Sequence, residues 1–555
     1  MNRILPLACA IWLIAVLAAS PGASQSAGQN PSPARTSTGD VHAGVSLFTP
    51  SDNCVACHNN LTTPQGEDVS IGSTWRSTMM ANSGRDPYFQ AALRRETIDH
   101  PTAADDIQDE CAACHMPMLA RTAHAAGRKA DIFAQLPIGA HDSDEQALTA
   151  DGVSCTVCHQ ISREKLGTRE SFNGGFVLEP TPASGARPIF GPFSIDGGRR
   201  TIMRSATGFE QAEAPHIRES ELCATCHTLI THARGPDGRI VGSLPEQMNF
   251  QEWQHSAYIV EKRSCQSCHM PTVEAPTRVS SVLGDLRDGF ARHVFVGGNA
   301  FMLRILNRYR SELGVEASSQ ELETTARATL RQLEQDTARV AIERAAIAGD
   351  ALGVEIAVRN LTGHKMPTGY PSRRAWLHLT VRDRQGRVAF ESGAIDPTGL
   401  IRGNDNDADP ARFEPHYDEI RAADQVQIYE SVMTDPAGNV TTGLLRATGY
   451  VKDNRLLPRG FDKTTAPQEI GVFGAASTDG TFNGDGDRVR YTVNLAPADG
   501  PFDVDVELRY QPIGFRWAQN LAPYDAPEPR RFVGYFNANA ASSSVVLARA
   551  STRAQ

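Results

Sequence analysis

Three observations predict an α+β fold with two unlike halves. The first is the string Cys-x-x-Cys-His, which occurs five times: CVACH (Cys54 to His58), CAACH (Cys111 to His115), CTVCH (Cys155 to His159), CATCH (Cys223 to His227) and CQSCH (Cys265 to His269). The second is the sequence around these strings, which start 57, 44, 68 and 42 residues apart. It offers short helices such as Asp86 to Thr97 and Gly/Pro-rich loops such as Pro180 to Gly198. The third is a change beyond Leu352 to short alternating segments, LGVEIAVRN, AWLHLTVRD, QVQIYESV, RVRYTVNL and FDVDVELRY. Turn signals bound them at Arg384-Gln385-Gly386, Asp435-Pro436-Ala437-Gly438 and Asn483-Gly484-Asp485-Gly486. The expectation is a mostly helical, loop-rich N-terminal domain, followed by an antiparallel immunoglobulin-like β-sandwich without a cysteine bridge.

Taken in order, residues 1–24 carry Arg3, an apolar run from Ile4 to Ala19 and the small residues Gly22, Ala23 and Ser24, the pattern of a signal peptide. Cys9 lies inside that run, preceded by Pro6, Leu7 and Ala8, and reads as a small apolar residue. Residues 25–44, rich in Ser, Gly, Pro, Ala and Gln, read as a disordered linker. The motif-bearing domain spans 45–300. A helical connector is expected over 301–348, from helical spacing in Phe301 to Leu313 and Ser319 to Ala348. The β-domain spans 349–515 and a tail 516–555. No later segment is apolar for long enough to cross a bilayer, so an exported protein, periplasmic or secreted and without a membrane span after cleavage, is expected. The chain of 555 residues exceeds the usual size of one domain.

Cys-x-x-Cys-His is the attachment signature of c-type haem. Two thiols form thioethers with the porphyrin vinyl groups, and the adjacent imidazole meets the iron from one face. The motifs use ten of the 11 cysteines. Zinc sites or disulfides would account for paired cysteines and leave the histidines unexplained. At this chain's Cys and His frequencies, one such string arises by chance on the order of 0.01 times. Five covalent haems are therefore expected on Cys54, Cys57, Cys111, Cys114, Cys155, Cys158, Cys223, Cys226, Cys265 and Cys268. Their proximal ligands are His58, His115, His159, His227 and His269. A porphyrin-filled interior also accounts for the scarcity of regular structure in this half.

The sixth ligand separates electron transfer from catalysis. Eleven histidines lie outside the motifs, enough for bis-histidine ligation throughout: His42, His100, His124, His141, His216, His232, His255, His293, His364, His378 and His416. His216, seven residues before Cys223, and His100 are candidates, as are His124, His141 and His416.

The strings TWRSTMMANSGRDPYF (Thr74 to Phe89), CAACHMP, CQSCHMP, DGVSCTVCH and RHVFVGGNAF (Arg292 to Phe301) carry a resemblance over residues 45–300. The chain resembles the superfamily of exported multihaem cytochromes that includes the tetrahaem electron acceptor of hydroxylamine oxidoreductase. In such proteins a His-x-Phe-x-Gly-Gly string supplies a distal imidazole, which implies that role for His293. The segment NLTGHKMPTGYPSRRAW (Asn360 to Trp376) resembles one in related cytochromes fused to a β-domain, and by position its loop could bring His364 over a haem. A turn stabilised by Gly363, Pro367 and Gly369 is the alternative reading. Where the superfamily often has a histidine shortly after Ser77, this chain has Met79 and Met80. A methionine sulfur, with Met80 as the candidate, would raise one haem's potential; a gap-filling role is the alternative.

Electron transfer between redox proteins is the leading expectation. The alternative is a reductase or oxidase of a small nitrogen or sulfur compound at one five-coordinate haem. The Cys-x-x-Cys-Lys string of pentahaem nitrite reductases is absent. A net charge of -10 disfavours nucleic acid and suits basic periplasmic or membrane-associated redox partners. The β-domain could instead serve docking, since a sandwich fold does not specify function. Calcium is a weak further expectation at Asn404 to Asp409 and Asp485 to Asp487, which lack a full binding loop.

Overall fold

The computed structural model describes residues 46–139, 143–181, 185–495 and 500–554. The signal-peptide and linker expectations, His42 and His141 lie outside these residues. Val45–Gln555 form one compact unit. Among the described residues no helix is long and apolar enough to cross a membrane.

In the N-terminal half, helix α1 (Pro87–Asp99) starts where the Asp86 carboxylate accepts hydrogen bonds from Tyr88 N and Phe89 N, with proline in its first turn. Helix α2 (Ala104–His115) carries the second motif on its last turn. Helix α3 (Ser220–His227) carries the fourth motif and runs straight into the hairpin of β1 (Thr228–Arg234) and β2 (Ile240–Met248). Helix α4 (Asn249–Gln254) follows, and α5 (Cys265–His269) is the fifth motif itself. One helical turn brings the two cysteines of each motif, three apart, onto one face.

Helices α6 (Ala300–Arg308) and α7 (Ser319–Asp336) pack together, α7 opening on a capping box between Ser318 and Glu321. The expected helix to Ala348 stops at Asp336. Residues Ala338–Ala348 form strand β3 instead, because alternate residues at Ala338, Val340 and Ile342 face the core and Gly349, at φ +64°, turns the chain into β4 (Ala351–Asn360).

Beyond β4 come β5 (Arg374–Arg382), β6 (Val388–Ser392), β7 (Glu419–Ile420), β8 (Ile428–Tyr429), β9 (Ser431–Thr434), β10 (Val440–Thr441), β11 (Gly449–Asp453), β12 (Asp487–Asn494) and β13 (Phe502–Gln511). Residues 516–555, expected as a tail, hold helix α8 (Pro527–Asn539) and strand β14 (Val545–Ala554). One sheet has the order β7-β12-β4-β3, and a second β6-β5-β13-β14 with β8 also on β5. Their inner faces share one core, with Leu352, Val354, Ile356, Val489 and Tyr491 from the first sheet and Leu377, Leu379, Val504, Val506 and Leu508 from the second. The strict alternation of β12 and β13 follows from this single buried face. A three-stranded sheet, β10-β9-β11, lies outside this pair.

Helix α8 fastens the C-terminal segment to α1. Phe532 packs on Tyr88, and Arg94 makes two 2.9 Å bonds to Glu528. The halves are also joined by the Asn360 to Trp376 segment, described next.

Candidate haem sites

All ten motif cysteines and all five motif histidines line one continuous cavity of about 1600 Å³. Its floor and walls come from the first half, while the Leu361–Arg373 segment, Leu444, Leu445 and Tyr510 come from the second.

Polar fasteners set the motifs side by side. The half-buried Asp151 carboxylate accepts from Ser51 N (2.8 Å), Ser51 Oγ (2.6 Å) and Ser154 Oγ, joining the residues just ahead of the first and third motifs. The Cys54 thiol thereby reaches Cys155. Gly174, at φ +74°, lies against Ala113 of α2 while its N–H donates to Thr225 O of α3 at 2.7 Å. A side chain there would enter the Ala113 backbone, with only 2.9 Å to its carbonyl oxygen. Across this joint Cys114 meets Cys226. Ser220 Oγ accepts from Cys265 N (3.1 Å) and Gln266 donates to Glu219 O (2.7 Å), which brings Cys223 to Cys265. Cys158 also lies near Cys223 and Cys226. The fourth motif is therefore the one whose thiols neighbour those of three others. As disulfides, these three meetings would leave Cys57, Cys111, Cys158 and Cys268 over.

Four motif or loop imidazoles form two facing pairs. His159 and His293 have ring centres 6.3 Å apart and planes 18° apart, and His269 and His364 have centres 6.4 Å apart and planes 13° apart. Direct stacking would bring the rings much closer. A metal bonded to two imidazole nitrogens at about 2 Å each sets their centres about 6 Å apart, which is the observed spacing. In all four rings Nδ1 is at a backbone carbonyl: Phe190 O for His159 (2.6 Å), Ala291 O for His293 (3.0 Å), Val296 O for His269 (2.5 Å) and Lys365 O for His364 (2.9 Å). His58 does the same with Val279 O (2.6 Å). An Nδ1–H so engaged leaves Nε2 as the lone-pair donor to a metal.

Burial favours the neutral form, the one that binds iron, at His58, His115, His159, His227, His293 and His364. It pushes His115 and His227 down to about 4 and His293 to about 3, and lowers His58, His159 and His364. His115 is further held by Phe89, stacked on it at 3.7 Å. The residues fit covalent haem: thiols, neutral imidazoles and cavity meet in the pattern it requires.

His364 sits in a densely hydrogen-bonded loop. Its carbonyl accepts from Asn360 Nδ2 (2.7 Å) and Thr362 Oγ1 (2.9 Å), and the next residue, Lys365, is completely buried. Lys365 N donates to Glu252 of α4 at 3.0 Å, and Lys365 Nζ donates to Asp453 of β11 at 3.0 Å and to Gly471 O at 2.7 Å. Arg455 joins Asp453 and Glu252 in the same network.

The other expected ligands are placed differently. His216 is buried outside the cavity lining, and its Nε2–H donates to Ile161 O at 2.8 Å. His100 is buried 3.9 Å from Glu96 and also lies outside the lining. His124 pairs with Asp109 near the surface. Met79 and Met80 line the cavity, and Met80 packs with the Met118 and Val157 cluster. His232 lines the cavity although no motif singled it out; it lies in the mostly half-buried strand β1, which carries no sequence signal of its own. Among the described residues, eight histidines line the cavity, so three remain for five proximal partners: His232, His293 and His364.

A separate cluster of His416, Asp479 and Asp487 has the composition of a metal site. Its hydrogen bonds give it another role. Gln427 and Asn454 both donate side-chain N–H to His416 Nδ1 (2.8 and 3.1 Å), and their oxygens are fixed by Tyr417 N and Glu430 N. The imidazole therefore carries its proton on Nε2, which faces Asp479 at 3.1 Å. Asp487 accepts from Tyr429 Oη at 2.7 Å. In the other acidic string Asp407 accepts two bonds from Arg374 (2.7 and 2.9 Å), and Asp405 pairs with Arg412. Asp405, Asp407 and Oδ2 of Asp487, among the carboxylates considered for calcium, are thus engaged by protein donors.

No family model and no curated protein matches the chain. A penta-heme cytochrome c552 from Thermochromatium tepidum is similar in structure. The two share 16% sequence identity with a TM-score of 0.49, over 91% of this chain and 99% of that one.

Proposed function

We propose that the chain is an exported pentahaem c-type cytochrome that carries electrons between periplasmic or membrane-associated redox proteins. One observation carries this reading: five Cys-x-x-Cys-His motifs face one cavity, and two imidazole pairs span it at the spacing of a single metal. Bound haem supplies one-electron chemistry at iron, tuned by axial ligand, burial and neighbouring charge. The chain's own part is to hold the attachment cysteines of different motifs against one another, to orient each imidazole through a backbone carbonyl, and to exclude water. The net charge of -10 suits basic partners.

A pyridine haemochrome assay of the purified holoprotein tests the reading. Five haems per chain are expected, and a count well below that would overturn it. In EPR and visible spectra, His293→Ala and His364→Ala should each convert one low-spin signal to high-spin and leave the remainder unchanged. Unchanged spectra in either variant would remove that residue from the ligand set.

The histidine supply gives a second reading its support. With three imidazoles for five partners among the described residues, two irons would lack an imidazole there, leaving room for a reductase or oxidase of a small nitrogen or sulfur compound. A high-spin component that binds nitrite, hydroxylamine or carbon monoxide would favour it. Indifference to all three would retire it.

A further inference from the structure

Glu246, near the end of β2, is 3% exposed, lines the haem cavity and leaves its Oε2 without a hydrogen-bond partner. No cation faces it. The titratable groups around it are Glu96 of α1, Cys111 and Cys114 of α2, Tyr370 of the Leu361–Arg373 segment and Tyr450 of β11. Only the neutral side chains of Gln247 and Thr231 offset its isolation. Tyr88 completes this corner, its hydroxyl 3.3 Å from that of Tyr370. Thr368 Oγ1 and Asn249 Oδ1, also in the cavity lining, are buried without partners too.

A lone carboxylate among carboxyl and phenol groups, enclosed by protein, is costly when ionised. Cys111 and Cys114, the attachment thiols of the second motif, lie within its electrostatic reach. An electron added there would place further negative charge beside Glu246, and an O–H bond on Glu246 would cancel it.

We propose that Glu246 is a proton-loading site coupled to the redox state of the haem held by Cys111, Cys114 and His115. This rests on the haem reading above. Glu246 takes one proton from solvent as one electron arrives from a one-electron donor protein; the carboxylate becomes a carboxylic acid and no other bond changes. On oxidation both leave together, so net charge in the corner stays constant.

Burial pushes Glu246 up to about 8, and reduction raises it further. Below the oxidised-state value the carboxyl keeps its proton in both states and the midpoint potential is level. Between the oxidised- and reduced-state values, only the reduced state holds the proton. There the potential falls with pH, approaching about 59 mV per tenfold change in proton concentration for one electron. Above both values it is level again.

Potentiometric titration of the holoprotein across pH 6 to 10 reads this directly. One of the waves is expected to show the slope, and Glu246→Gln to make that wave level with pH. A variant that keeps the slope, or a wild type with none, overturns the proposal. If the variant does not fold, the infrared difference spectrum of wild type at pH 9 decides. Reduction should produce a protonated-carboxyl C=O band, and its absence overturns the proposal. A chain with no haem would show no redox wave at all, which separates failure of the haem reading from failure of this one.

Discussion

Chains carrying Cys223→Ser and Cys226→Ser are expected to contain one haem fewer than wild type and to take up electrons in several separate phases rather than one. The fourth motif is where the others converge: Cys226 meets Cys114, Cys223 meets Cys265, and Cys158 lies beside both. The first motif reaches this junction only through the third, by the contact of Cys54 with Cys155. Removing the central pair leaves the first and third motifs in contact and isolates the second and fifth. Stopped-flow reduction followed in the visible bands, with a haemochrome count on the same sample, checks this. The paired change Cys54→Ser and Cys57→Ser is the contrast, because it removes an end of the network. It should also cost one haem while leaving the other four in one rapid phase. Identical kinetics in the two variants would contradict a branch at the fourth motif.

Lys365→Met is expected to cost about 3–5 kcal/mol of stability, as loss of one member of a buried ion pair does. Lys365 holds the loop that presents His364, and it touches Asp453, Glu252 and Gly471 from inside the protein. Its loss leaves the Asp453 carboxylate to Arg455 alone and the Gly471 carbonyl without its donor. Denaturant unfolding gives the size of the effect. A parallel change in the spectrum of one haem would show that the lost order reaches His364. A fall of less than about 1 kcal/mol would mean that water or a shifted side chain replaces the ammonium.

The same pair gives a pH dependence. Burial acts to raise the Asp453 carboxyl, but Arg455 and Lys365 outweigh it and hold the group at about 2. A carboxyl depressed in the folded state contributes stability above its ordinary value near 4, and this is lost as the pH falls through about 2. Asp453→Asn should flatten that part of the acid-unfolding curve and lower stability at pH 7.

Much of the candidate site was written in contiguous strings. The five motifs named their own cysteines and histidines. The Arg292 to Phe301 string pointed to His293, whose ring the structure sets opposite His159. The Asn360 to Trp376 segment pointed to His364, set opposite His269. What the strings left open was long-range. Asp151, Gly174 and Ser220 decide which motifs touch, yet an aspartate, a glycine and a serine carry no local signature of that task. His216 was named by its nearness to Cys223 along the chain and His100 as one of the histidines outside the motifs, whereas the fold leaves both out of the cavity lining. Glu246 was invisible because its significance lies in being buried without a cationic partner among the described residues. In the fold, the strand at Ala338–Ala348 was read as helix because Glu and Arg spaced among alanines satisfy both periods. Pairing with β4 decided the matter. The C-terminal segment was read as a tail because α8 and β14 have meaning only against α1 and β13.

The segment from Arg292 to Phe301 does two things at once. It offers the His293 ring to the site of His159, and three residues later its Val296 carbonyl accepts the Nδ1–H of His269, an imidazole belonging to another motif. Val296 N also donates back to His269 O at 3.2 Å. Strengthening that carbonyl bond makes His269 a more basic ligand, and any shift of the segment that alters it also moves His293 along its approach. If haems occupy both sites as proposed, two redox centres share one backbone yoke, and a substitution that retunes either of them retunes its neighbour in the same stroke.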